Sequence, residues 1–183
     1  MLERNQLPLR PATPGFAVAW VTVIAGASVA LSLVFACVTP FVALAAVSAV
    51  ALPRRMAIVA VLLAWLANQT VGYLMLGYPQ TVDSFAWGVT IGISAFASLA
   101  ASLGVLRFNA SPAVSFMAGF VAYEAVLFAA TAALPSGDGG FSAAVVAEVL
   151  LINALAVTGL ICLHIAAAAG RALVTAQPGP ALS

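Results

Sequence analysis

The chain has 183 residues, of which 64% are hydrophobic and 6% charged. A soluble domain carries about 25% charged residues, so this sequence lacks the polar groups to cover a water-facing surface. Its formal net charge of +1 leaves no basic excess to attract nucleic acid.

Residues 1–15 carry charge and Pro8, Pro11 and Pro14, and read as a cytoplasmic N-terminal segment. No short apolar stretch with a cleavage site follows, so the next run is expected to be an uncleaved helix. That run, Phe16 to Leu52, has no charge. It is too long for one crossing, which needs about 20 residues. Cys37-Val38-Thr39-Pro40 is the natural break, with Thr39 as cap and Pro40 opening a short second helix below the outer interface. The third helix is expected from Met56 to Gly77, ending in the turn Gly77-Tyr78-Pro79-Gln80. The fourth runs from Phe85 to Leu106, capped by Asp83 or Ser84 and closed by Arg107. The fifth runs from Pro112 to Leu134 with Ser111 as cap. Pro135–Gly140 is a loop. The sixth runs from Ser142 to Ala169 and stops at Gly170-Arg171. Residues 174–183 form a cytoplasmic tail.

The expected fold is thus all-α: a polytopic membrane protein with a six-transmembrane-helix bundle over residues 16–173. The six basic residues are all Arg, at positions 4, 10, 54, 55, 107 and 171. With six crossings they fall on one side, which the positive-inside rule makes cytoplasmic. Both termini then lie in the cytoplasm, and Asp83 and Asp138 lie on the opposite face. Arg without Lys, together with abundant Ala, suggests a GC-rich bacterial genome and the bacterial cytoplasmic (inner) membrane.

Small residues recur four apart: Gly26/Ala30, Ala45/Ala49, Ala60/Ala64, Ser94/Ser98/Ser102, Ala97/Ala101 and Ala125/Ala129/Ala133. Such spacing lets helices approach closely in lipid; it also suits a smooth face for a partner membrane protein. Polar groups cluster by depth. Asn68 and Gln69 sit mid-way along the third helix, Tyr123 and Glu124 along the fifth, and Asn153 along the sixth, with Glu148 nearer the outside. Unpaired polar groups in hydrocarbon are costly, so these are expected to meet one another or a cavity. The amides serve equally as interhelical glue. Glu124 has no basic partner at its depth; Glu148 reads equally as a solvated first-turn acid. Trp65, Gln69 and Tyr73 share a face. Tyr73, Tyr78, Gln80, Asp83 and Trp87 form an outer rim, either an interfacial aromatic belt or the mouth of a pocket.

Catalytic signatures are missing from the sequence: no Gly-x-Ser-x-Gly, His-Glu-x-x-His, nucleotide-binding Gly-rich loop or CxxC. His164 with Cys162 does not make a zinc site. Cys37 and Cys162 are expected near opposite membrane faces, unpaired. No enzyme activity, metal or cofactor is expected.

Six helices, cytoplasmic ends, Ala-rich faces and polar groups in the outer halves of the later helices resemble the substrate-binding S component of an energy-coupling-factor vitamin transporter. The resemblance spans the chain and rests on architecture. It implies a substrate-binding set of Asn68, Gln69, Tyr73, Asp83, Trp87, Tyr123, Glu124, Glu148 and Asn153. Cys37, Tyr78–Asp83 and Pro135–Gly140 would then act as lids. It also implies a vitamin-sized solute, a corrinoid being one candidate, and a transmembrane coupling subunit with ATPases. Two other readings stand beside it: an accessory subunit of a larger membrane complex, and a proton-coupled transporter using Glu124.

Overall fold

The computed structural model describes residues 15, 17–24, 26, 39–108, 111–134 and 141–175, with side chains as far as Ala167. The described residues form six helices and no strand: α1 (17–24), α2 (Phe41–Ala51), α3 (Arg54–Leu74), α4 (Val82–Val105), α5 (Pro112–Ala130) and α6 (Ala143–Thr175). Four of them, α3, α4, α5 and α6 over Ala143–Ala167, are long and apolar enough to cross a membrane. The bundle is therefore that of a helical membrane protein. Arg4, Arg10, Cys37, Pro135–Gly140 and 176–183 lie outside the described residues.

The short helix α2 is the centre. Its sequence, FVALAAVSAVA, is apolar all round, and a helix without a polar face is stable only when enclosed. All its residues except Val50 are buried. Its 11 residues span about 16 Å, roughly half the hydrocarbon thickness. Pro53 ends it and redirects the chain into α3. Helices α3, α4, α5 and α6 pack around it. The tightest seam is between α4 and α5, and a second joins α3 to α4. By contrast α6 rests on α2 and forms no comparable seam with α5.

The α3–α4 hairpin is antiparallel, because Trp65 meets Gly92 while Tyr73 meets Ser84. Arg54, Arg55 and Arg107 therefore stand at one end, as the charge pattern requires. Pro112 and His164 line the same cavity, so α5 begins and α6 descends at that end too.

Several boundaries differ from the sequence expectation. Pro40 is the N-cap of α2 and supplies no side-chain hydrogen bond to it. Thr81, not Asp83 or Ser84, caps α4: its hydroxyl accepts the Ser84 N–H at 3.2 Å. Ser111 caps α5 as expected. That helix ends at Ala130, where N–H groups of Thr131, Ala132 and Ala133 shift to carbonyls three residues back, a tightened last turn. Gly170 does not stop α6, which continues to Thr175; one Gly costs a helix only about 1 kcal/mol.

Candidate functional site: a polar junction at the broken helix

The first N–H groups of any helix lack intrahelical partners. At the start of α2 the N-cap is Pro40, which has no side-chain acceptor. The acceptor comes from α6 instead: Asn153 Oδ1 takes the Ala43 N–H at 3.0 Å. The Asn153 amide donates back to Val149 O at 2.9 Å, and the residue is 1% exposed. Thr39, just before the break, accepts a hydrogen bond from Asn68 Nδ2 at 2.6 Å. Asn68 Oδ1 in turn accepts from Gln69 Nε2 at 3.3 Å. Asn68 lies about 21 Å along α3 from Arg54, and Asn153 about 27 Å along α6 from Arg171. The start of α2 thus lies deep in the bundle, held by amides from two other helices.

Outward from this junction runs a ladder on α3. Trp65, Gln69 and Tyr73 lie on Gly92, Gly88 and Ser84 of α4. Trp65 Nε1 donates to Gly88 O at 2.8 Å, and a Cβ on Gly92 would stand 2.8 Å from the Trp65 ring. A Cβ on Gly88 would stand 2.6 Å from Gln69 Oε1. Tyr73 Oη and Ser84 Oγ are 3.1 Å apart, and the Tyr73 ring stacks on Phe85 at 4.8 Å. Tyr78 folds back over Gly72, through a turn in which Gly77 has φ 69°, a conformation that favours glycine.

Three of the candidate residues, Asn68, Gln69 and Tyr73, are therefore joined along one seam, and Asn153 shares the junction with Asn68. Asp83 and Trp87 are part-buried on the first turns of α4. Tyr123 is buried in the core. Glu124 is half-buried, and its Oε1 is cut off from solvent with no hydrogen-bond partner among the described residues. Glu148 stands apart, exposed on α6. It lies about 34 Å from Arg171 along the helix, a hydrocarbon thickness away, so it stands at the end of the bundle opposite the arginines. In the sequence the Gly88/Gly92 platform is only a four-residue spacing of two glycines; what rests on it, Gln69 and Trp65, comes from another helix.

On α4 and α5, Ser102 and Ser115 donate to each other's backbone carbonyls at 3.0 and 3.3 Å. Gly119 lies over Ser98 and Ser102, each hydroxyl 2.7 Å from where its Cβ would be. This seam uses two of the Ser94/Ser98/Ser102 positions as packing residues. At the inner end, a cavity of about 10 Å³ lies between α2, α5 and α6, room for about one water. His164 is on its wall and packs edge-on to Trp20 at 4.9 Å. Cys162 is a free, exposed thiol, and no metal-binding cluster occurs among the described residues.

No family model, curated protein or solved structure matches the chain.

Proposed function

We propose that the chain is a membrane-embedded binding and uptake protein for a vitamin-sized solute, of the S-component kind, in a bacterial cytoplasmic membrane. The observation that supports this most is the start of α2 at Thr39–Pro40, whose capped end lies deep in the bundle. Membrane transporters place solutes where discontinuous helices end near the bilayer midplane, and non-helical backbone there must face protein or a cavity. In this reading Asn68, Gln69 and Asn153 supply hydrogen bonds, and Tyr73, Trp87 and Tyr123 supply apolar and ring contacts. A corrinoid is one candidate solute. The sequence carries no nucleotide-binding loop, so the energy comes from elsewhere, with or without a coupling subunit with ATPases. The test is to purify the chain in mild detergent, denature it, and identify any released molecule by mass and visible absorbance. A stoichiometric solute supports the reading.

One observation favours a second reading. Ala125, Ala129 and Ala133 are exposed along one side of α5 and its last turn, a smooth face suited to a partner helix. A membrane partner that co-purifies in fixed ratio without solute would make the chain an accessory subunit.

A further inference from the structure

We infer that the solute taken at the polar junction is a hydrogen-bond donor, carrying an amine, ammonium or amide N–H, and not a carboxylate or phosphate. This rests on the binding-protein reading above and names the class of solute for that same site.

The direction of the hydrogen bonds carries the inference. Asn68 Nδ2 donates to Thr39 Oγ1 at 2.6 Å, and Gln69 Nε2 donates to Asn68 Oδ1 at 3.3 Å. Trp65 Nε1 donates to Gly88 O at 2.8 Å, and Asn153 Nδ2 donates to Val149 O at 2.9 Å. Every side-chain nitrogen of the junction therefore gives a hydrogen bond to the protein itself. The oxygens are turned the other way. Gln69 Oε1 lies over the bare α-carbon of Gly88, 2.6 Å from where a Cβ would stand. A Cα–H is a weak donor to a carbonyl oxygen and offers an amide NH2 nothing to bond, so this contact fixes which way the Gln69 amide faces. Tyr73 Oη is 3.5 Å from the same Cβ position and pairs with Ser84 Oγ at 3.1 Å. One carbonyl oxygen and two hydroxyl oxygens thus gather over Gly88 and Ser84, and such oxygens carry two lone pairs each. Gln69, Tyr73 and Ser84 are part-buried, so none of the three is sealed in.

The charge pattern disfavours the opposite class of solute. From Met56 to Leu163 the only basic residue is Arg107, while the same stretch holds Asp83, Glu124, Asp138 and Glu148, and residues 11–53 carry no charge. Arg107 stands with Arg54 and Arg55 at the inner end, and Gln69 lies about 22 Å along α3 from Arg54. An anion brought to the junction would exchange water for oxygen atoms, at a steep cost in apolar surroundings. An N–H group would meet acceptors there, and a charged one would bond them more strongly. The rings act in the same sense. Tyr73 and Phe85, stacked at 4.8 Å, present π faces and edges whose faces attract cations.

Two readouts test this. In the first, the solute released on denaturing the purified chain is identified by mass. The expected result is a molecule with an amine, ammonium or amide N–H. A solute whose polar groups are carboxylate or phosphate alone overturns this inference and leaves the binding reading standing. The second uses adamantylamine, adamantanol and adamantanecarboxylate, matched in shape but cationic, neutral and anionic at neutral pH. Their retention by the full chain in dodecyl maltoside is measured by equilibrium dialysis against micelles alone. The amine should be held several-fold above empty micelles and above the carboxylate, and Gln69→Leu should abolish that excess. Tyr73→Phe, which removes one hydroxyl and keeps the ring, should reduce it, and this variant decides the matter where Gln69→Leu fails to fold. Equal retention of amine and carboxylate, a preference for the carboxylate, no retention of the amine, or amine retention untouched in both variants overturns the inference. A membrane partner held in fixed ratio with no solute would sink the binding reading itself.

Discussion

Asn153 on α6 closes the start of α2 by accepting the Ala43 N–H at 3.0 Å, across 110 residues of sequence. A helix cap is ordinarily local, supplied by the residue at the helix start. Here Pro40 occupies that place, and the cap is tertiary. One side chain thereby ties the position of α6 to the end of the central helix. Since α6 packs on α2, this bond ties a long helix to the central one.

Replacing Asn153 by Ala leaves the Ala43 N–H unsatisfied in an apolar interior, at a cost of about 1–3 kcal/mol. Asn68→Ala should cost less, because Thr39 keeps backbone and hydroxyl alternatives; interhelical side-chain bonds in membranes average about 0.6 kcal/mol. Unfolding by sodium dodecyl sulfate, followed by circular dichroism, should rank Asn153→Ala below Asn68→Ala and both below the wild type. Equal midpoints for Asn153→Ala and the wild type would remove the cap as a stabilising element.

Much of this fold is legible in the sequence, because lipid demands long apolar helices and the arginines mark one end. The break at Thr39–Pro40 is legible for the same reason: Pro cannot continue a helix. What holds the break is not legible. Asn153 and Asn68 read only as buried amides, since nothing local says that α6 and α3 lie against α2. The α3 ladder was half visible. Trp65, Gln69 and Tyr73 share a face by periodicity, but their docking on Gly88 and Gly92 depends on the antiparallel register of α4. For the candidate site, depth along each helix put Asn68 and Asn153 at one level, and each reaches the start of α2, through Thr39 and Ala43. Glu148 reads as nearer the outside, equally a solvated first-turn acid, and it is exposed in the first turns of α6.

The Trp65 ring occupies the space a Cβ on Gly92 would need. Gly92→Leu should therefore force the α3–α4 seam apart and destabilise by about 1–3 kcal/mol. Trp65→Phe should cost about 1 kcal/mol or less, since Gly88 O loses one donor only. Combining Trp65→Ala with Gly92→Leu should recover part of the loss, because the leucine enters the volume the ring vacates. A strictly additive double variant in the same detergent titration would show that the two residues do not compete for that space.

Gly119 is bounded by the Ser98 and Ser102 hydroxyls at 2.7 Å and the Ser98 carbonyl at 3.2 Å from its would-be Cβ. The Ser98 hydroxyl is buried without a hydrogen bond among the described residues. Ser98→Ala should then be neutral or stabilising, because it removes an unpaired polar atom. Gly119→Ala should destabilise, by about 1–3 kcal/mol, and Ser98→Ala should relieve part of that. Full relief is not expected, since the Ser102 hydroxyl and the Ser98 carbonyl remain. A Ser98→Ala variant that unfolds earlier than wild type would show that its hydroxyl is satisfied after all.

Topology is testable with single cysteines in a background lacking Cys37 and Cys162. Phe108 is 91% exposed beside Arg107, and Val82 is 88% exposed at the other end of α4. A membrane-impermeant maleimide added to intact cells should label Val82→Cys and spare Phe108→Cys. Inside-out vesicles should give the opposite pattern. Arg54, Arg55 and Arg107 share one end of the bundle, and an excess of Arg beside membrane-spanning helices is retained on the cytoplasmic side. Labelling of both cysteines from one side would mean that α4 does not cross the bilayer, and labelling of Phe108→Cys alone in intact cells would invert the orientation.

Glu124→Gln keeps the shape and an acceptor oxygen of the side chain while removing its charge. The bundle should remain folded, because the Glu124 carboxyl has no internal partner to lose on its Oε1 side. Solute retention through purification should fall, whereas Glu148→Gln, exposed at the end of the bundle opposite the arginines, should leave it unchanged. The contrast matters more than either variant alone. Both residues are acids on membrane helices, but only Glu124 has a carboxyl oxygen enclosed without a donor among the described residues. Equal retention by the wild type and Glu124→Gln would take Glu124 out of the binding surface, and a loss in Glu148→Gln would move that surface toward the outer end of α6.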